Sequence, residues 1–194
     1  MISGLAVLVS VLASATWIDV PFTVQEKNGC GAASVWMVME YWNKSPQPPE
    51  ALHRILYSKE AGGVVAADME QFFSQHGFRT VAFQGEWNDL IENVAKGRPL
   101  IVSIEANSRG TLLHYVLVTG VDETEQVVFV NDPARRKLLP IARSDFEKSW
   151  NATNRWTLLA VPEGPAEPTP RPSSAVPAPR RSRWPRRRTQ APGR

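Results

Sequence analysis

The single cysteine of the chain, Cys30, sits where the polar stretch 25–29 gives way to a long apolar run over 31–43. A helix starting there would turn free N–H groups and the positive end of its dipole toward the sulfur. Both favour the thiolate, which is the nucleophilic form. Downstream, His114 opens the apolar run His-Tyr-Val-Leu-Val, and Asp132 follows the run Val-Val-Phe-Val-Asn. A cysteine, a histidine and a carboxylate, each at the end of a regular element, can carry out acyl transfer. The imidazole takes the thiol proton, and the carboxylate holds the imidazole in the right tautomer. Taken singly, each residue has a plainer reading. A lone cysteine is ordinarily a small buried hydrophobe, a histidine beside a strand a hydrogen-bonded core residue, and an Asp-Pro pair a turn starter. Their order and context together are what point to a site.

The flanking motifs make the pattern specific. Ile18-Asp19-Val20-Pro21-Phe22, then Gln25, Cys30-Gly31-Ala32-Ala33-Ser34 and Tyr41-Trp42 resemble the start of the peptidase C39-like family. Lys96-Gly97-Arg98-Pro99-Leu100-Ile101-Val102 is similar to its lead-in to a strand. His114-Tyr115-Val116-Leu117-Val118-Thr119-Gly120 and Val130-Asn131-Asp132-Pro133 resemble its His and Asp motifs, and Phe146-Glu147-Lys148-Ser149-Trp150 its late helix. The resemblance runs from Trp17 to Val161. It implies a papain-like cysteine peptidase fold, with Cys30 as nucleophile, His114 as general base and Asp132 as orienter. It also implies that the side-chain amide of Gln25 joins the backbone N–H of Cys30 in an oxyanion hole. The substrate it implies is a peptide or another amide.

Two other function classes stay open at this stage. One is a peptide-binding module that uses the same groove without turnover; the other is a papain-like acyl transferase that passes the acyl group to an amine. The best-understood family members are fused to ABC transporters. This chain shows no nucleotide motif, so neither ATP dependence nor leader processing is expected to carry over.

Composition narrows the chemistry further. With 194 residues, 43% of them apolar and seven tryptophans, the chain can bury one core of ordinary size. One cysteine rules out an internal disulfide and any Cys-x-x-Cys metal site. The three histidines, His53, His76 and His114, show no i,i+4 pairing of the zinc-hydrolase kind. No cofactor, metal or nucleotide is expected, and the chain is read as a monomer.

The elements that must position these residues are legible in outline. Residues 31–43 are apolar nearly all round, as in a buried central helix. Further helices are expected from Pro49, with Leu52, Ile55 and Leu56 on one face, over 67–76 ending at Gly77, and over 87–96 ending at Gly97. A last one starts from a capping box at Ser144-Asp145-Phe146-Glu147. Strands are expected over 100–104, 114–121, 126–130 and 156–161, with a polar hairpin turn at 122–125. Helices followed by an antiparallel sheet make an α+β domain, with the Cys30 helix packed on the sheet that carries His114 and Asp132. Gly62-Gly63 reads as a flexible loop between helices. His76 reads as a helix-end cation, and Tyr115 as packing on the strand face opposite His114.

The two ends differ from this domain. Residues 1–15 hold an apolar run and the Ala13-Ser14-Ala15 cleavage pattern of a signal peptide, although 1–3 lack a basic residue. Export to the periplasm or beyond is expected, with an uncleaved membrane anchor as the alternative. Residues 163–194 hold eight of the sixteen prolines and carry a charge of +6, against −3 for 1–162. Such a tail cannot bury a core and is expected to be disordered. Its arginines suit an anionic surface; a nucleic-acid partner does not suit an exported protein. The domain itself is placed at 16–162.

Overall fold

A computed structural model describes residues 15–44, 47–106 and 113–164. The expected signal segment, save Ala15, and nearly all of the expected tail lie outside the described residues. Among the described residues, five helices occupy Cys30–Tyr41 (α1), Pro49–Leu56 (α2), Ala66–Gln75 (α3), Trp87–Ala95 (α4) and Arg143–Asn151 (α5). Strands run over Thr16–Trp17 (β1), Tyr57–Ser58 (β2), Gly63–Val64 (β3), Phe78–Gln84 (β4), Leu100–Glu105 (β5), Leu113–Asp122 (β6), Val127–Asp132 (β7), Arg136–Ala142 (β8) and Trp156–Pro162 (β9).

The architecture is α+β, as expected. Seven strands form one antiparallel sheet in the order β4-β9-β5-β6-β7-β8, with β1 paired to β6, and β2 and β3 form a separate hairpin. Helix α1 packs on β6 and buries Val35, Met37, Val38 and Met39, because its apolar residues leave it no wet face. Tyr41 at its last turn donates its hydroxyl to the Gly97 carbonyl at 2.9 Å, which fastens α1 to the lead-in to β5. The register pairs Ile104 with His114, Leu117 with Asn131, and Val102 with both Val116 and Thr157. His114, Asp132 and Trp156 therefore share one end of the sheet. Thr16, Val121 and Pro162 share the other.

The boundaries of α1 to α4 follow the sequence to within two residues or so, and α3 and α4 are followed by Gly77 and Gly97 at φ +75° and +71°. Three expectations need correction. Ile55 is exposed (53%): Leu52 and Leu56 stack four residues apart on a narrow apolar stripe, and Ile55 falls beside it. Helix α5 lacks the expected capping box. It starts one residue earlier, at Arg143, whose backbone N–H donates to Gln126 O at 2.8 Å, and the Glu147 carboxylate pairs with Arg143 Nε at 3.3 Å instead of reaching back to Ser144. The structure also adds β4 and β8, the two edges of the sheet, to the strands expected.

Candidate active site

Cys30 is the first residue of α1. The chain reaches it through Asn28 in the left-handed region (φ 57°) and a turn closed by the Gly29 N–H on Glu26 O at 2.8 Å. No side chain caps this helix, and its first turn holds no acid, so its leading N–H groups remain for the site. Gly29 and Gly31 are there because their surroundings leave no room for a side chain. A Cβ on Gly29 would lie 2.6 Å from His53 Nδ1, and one on Gly31 would lie 2.6 Å from Val64 Cβ. The β2–β3 hairpin and α2 thus close directly on the turn that carries the sulfur.

His114 stands near the start of β6 and Asp132 at the end of β7. Between them, register shifts at Val118/Gly120 and at Val130/Asp132 bend the ladder. The second shift sets two residues of β8, Lys137 and Leu138, against Asn131 alone. Its buried side chain accepts from Leu138 N at 3.0 Å and donates to Val20 O at 3.4 Å, which locks the bulge that aims Asp132. Asp132 Oδ1 accepts from His114 Nε2 at 2.7 Å and from the Ala134 backbone N–H at 3.0 Å. The carboxylate acceptor puts a proton on Nε2, so Nδ1 is the ring atom left for the thiol.

Electrostatics follow from these contacts. Burial by itself pushes the Cys30 thiol up, but the hydrogen bond with His114, the backbone N–H groups of Tyr115 and Gly31, and the charge of His114 outweigh it. The net effect is a thiol below its ordinary range. For His114, burial works against the imidazolium, whereas the Asp132 bond and Cys30 favour it, and its pKa is pushed up to about 9. A lowered cysteine beside a raised histidine is the arrangement of a thiolate–imidazolium pair. Tyr115 is raised to about 12 by burial and by the neighbouring sulfur.

Gln25 reaches the site from the preceding loop. Its backbone N–H donates to Pro133 O at 3.0 Å, which joins its loop to the turn after Asp132. Its side-chain Oε1 is buried without a hydrogen-bond partner among the described residues. Gln25, Cys30 and His114 line one open cavity of about 430 Å³. Of the four expected residues, then, Cys30, His114 and Asp132 stand in line and Gln25 lines the same cavity.

Sequence reasoning missed several contributors. Gly62 and Gly63, read as a flexible loop, form the tip and first strand residue of the β2–β3 hairpin, with Gly62 at φ +67°, and both line the cavity. The pair of glycines was the only available signal. The Tyr115 N–H on the sulfur, Asn131 in the bulge and His53 against Gly29 had none. The Tyr115 ring packs edge-on against Trp156 at 5.4 Å. His76 follows the last residue of α3 as its C-cap, the expected helix-end position, and its Nδ1 bonds Phe72 O at 2.7 Å.

The model of the Peptidase_C39 like family matches residues 17–157. Comparison with the curated proteins finds no match. Among solved structures, a candidate C39-like peptidase from Bacillus anthracis is 17% identical, with a TM-score of 0.65, over 77% of this chain and 99% of that one. A double glycine motif protease from an AMS/PCAT transporter, solved in complex with the leader peptide, is 24% identical with a TM-score of 0.57, over 76% and 98%. The peptidase domain of Streptococcus ComA, a bi-functional ABC transporter of a quorum-sensing pathway, is 19% identical with a TM-score of 0.57, over 73% and 97%. At these identities the likeness is one of fold.

Proposed function

The chain belongs to the Peptidase_C39 like family, and we propose that it is a cysteine peptidase that cuts a peptide or amide bond through a Cys30 thioester. The observation that carries this reading is the His114 ring set between two partners, Asp132 Oδ1 at 2.7 Å from its Nε2 and the Cys30 thiol, with which it is also hydrogen-bonded. The Cys30 thiolate attacks the carbonyl carbon, and a C–S bond forms as the C=O pair moves onto oxygen. The Cys30 N–H and the Gln25 side-chain amide hold that oxyanion. The imidazolium passes its Nδ1 proton to the leaving nitrogen, and the C–N bond breaks. Water then gives a proton back to Nδ1 and attacks the thioester; the C–S bond breaks and the acid leaves.

A relative solved with a leader peptide supports a peptide as the substrate. An exported site of work rests on residues 1–15, and an anionic docking surface on the arginines of 163–194. The test is the pH dependence of Cys30 alkylation by iodoacetamide in the full chain and in His114→Ala, beside peptide cleavage by wild type and Cys30→Ala. Reactivity below the ordinary thiol range, lost in His114→Ala, together with cleavage that Cys30→Ala abolishes, is the expected result. An ordinary thiol profile in both proteins and no cleavage would overturn it in favour of a binding module. Product carried to an added amine in preference to water would identify an acyl transferase.

A further inference from the structure

Past the nucleophile, the cavity has a neighbour among the described residues. Ala66, Leu113 and Tyr115 line the Cys30 cavity and also a second one of about 380 Å³, so the two lie side by side and share a wall, as two parts of one groove. The second part is bounded by Ser103, Thr153 and Trp156 among others. The register pairs Ser103 with Tyr115, and antiparallel partners project from the same face, so floor and wall are built by adjacent strands. The Tyr115 and Trp156 rings meet edge-on at 5.4 Å and form an aromatic side. No charged residue lines this part among the described residues.

The rim shows the same character. Leu113 is 60% exposed and Val65 is 38% exposed, and both line the cavity around Cys30. Large apolar side chains left in water at the mouth of a cleft gain by covering one another with a ligand. In the part beside Trp156 a charged side chain would be desolvated with no opposite charge beside it among the described residues, and a glycine would leave the walls wet.

We infer that the groove walled on one side by the Tyr115 and Trp156 rings holds one bulky apolar side chain of the substrate, on the first or second residue from the bond that is cut. This rests on the proposed cysteine chemistry only for the identity of the substrate; the groove itself is tested apart from turnover.

The test uses the full chain and neutral, blocked dipeptidyl chloromethyl ketones, which alkylate Cys30 directly. Alanine, leucine, phenylalanine or aspartate is placed in turn at each of the two positions nearest the reactive carbon. Iodoacetamide, which has no side chain to bind, is the reference. At one position leucine or phenylalanine should exceed alanine by about 10- to 200-fold, with aspartate slowest, and Trp156→Ala should cut that ratio to within about threefold. Leu113→Ser, at an exposed rim position that any polar residue can occupy, should lower the ratio as well, and Trp156→Phe should keep most of it. A ratio near one at both positions, or a preference that neither variant moves, would overturn the inference. Low-pH reactivity toward iodoacetamide without an apolar preference would sink the groove and leave the peptidase reading standing. An apolar preference on an otherwise ordinary thiol would do the reverse.

Discussion

Replacing Asp132 by asparagine separates the charge of the carboxylate from its geometry. Oδ1 accepts both from His114 Nε2 and from the Ala134 N–H. The Ala134 N–H needs an acceptor at that spot, so in Asp132→Asn the amide oxygen stays there and the NH2 group points away. The oxygen still accepts the Nε2 proton, and the tautomer with Nδ1 toward Cys30 is kept. What is lost is the charge. Holding His114 at about 9 in place of 6.5, against the opposing effect of burial, corresponds to about 3 kcal/mol in favour of the imidazolium. Asp132 shares that with Cys30. Charge-assisted hydrogen bonds are about twice as strong as neutral ones, so the asparagine forfeits about 1–2 kcal/mol, or about 5- to 30-fold in turnover.

Asp132→Ala removes the acceptor outright. It strands the Nε2 proton and the Ala134 N–H where the His114 and Asp132 side chains are only 12% and 6% exposed. Each orphaned group costs about 1–3 kcal/mol, and the ring is free to turn, so turnover should fall about 1000-fold or more. The assay is kcat/KM on a cleaved peptide, with the iodoacetamide profile of Cys30 alongside. An asparagine variant as damaged as the alanine one would refute the idea that Ala134 pins the oxygen. One indistinguishable from wild type would refute the role given to the charge.

The thiolate–imidazolium pair predicts two pH profiles that part company at high pH. Alkylation needs only the thiolate, so its rate should hold as pH rises through about 9, whereas cleavage also needs the Nδ1 proton of His114 and should decline there; parallel profiles would contradict the assignment. Gln25→Ala should lose about 100- to 1000-fold in cleavage while leaving the alkylation profile where it is, and an unchanged cleavage rate would remove Gln25 from the oxyanion hole. Gly29→Ala forces a Cβ to within 2.6 Å of His53 Nδ1, which should cost about 1–3 kcal/mol of stability. Thermal melts should show the drop, with partial recovery in the Gly29→Ala, His53→Ala double variant; a single variant as stable as wild type would mean that α2 yields at no cost.

What the sequence disclosed depended on how strongly each element declares itself. Helix α1 and the inner strands β5, β6, β7 and β9 carry long apolar runs because both of their sides are covered, and their ends, where Cys30, His114 and Asp132 sit, are where those runs break. The edge strands declare themselves poorly. In β4 only Phe78 is buried and Arg79, Val81, Ala82 and Gln84 face water, so no alternation survives. Strand β8 holds Arg136, Lys137 and Pro140, residues that an edge tolerates and an inner strand does not. The two-residue strands are too short for any pattern. Asn131 was hidden for another reason. It follows an apolar run and precedes a turn, and only the bulge reveals that both ends of its amide are engaged.

The shared ends of the sheet bear on where the described chain begins and ends. Seven steps along β6 lead from His114 to Val121, about 23 Å of extended chain. Thr16 pairs beside Val121, and Pro162 leaves β9 at that same end. Both ends of the described chain therefore lie at the end of the sheet away from His114.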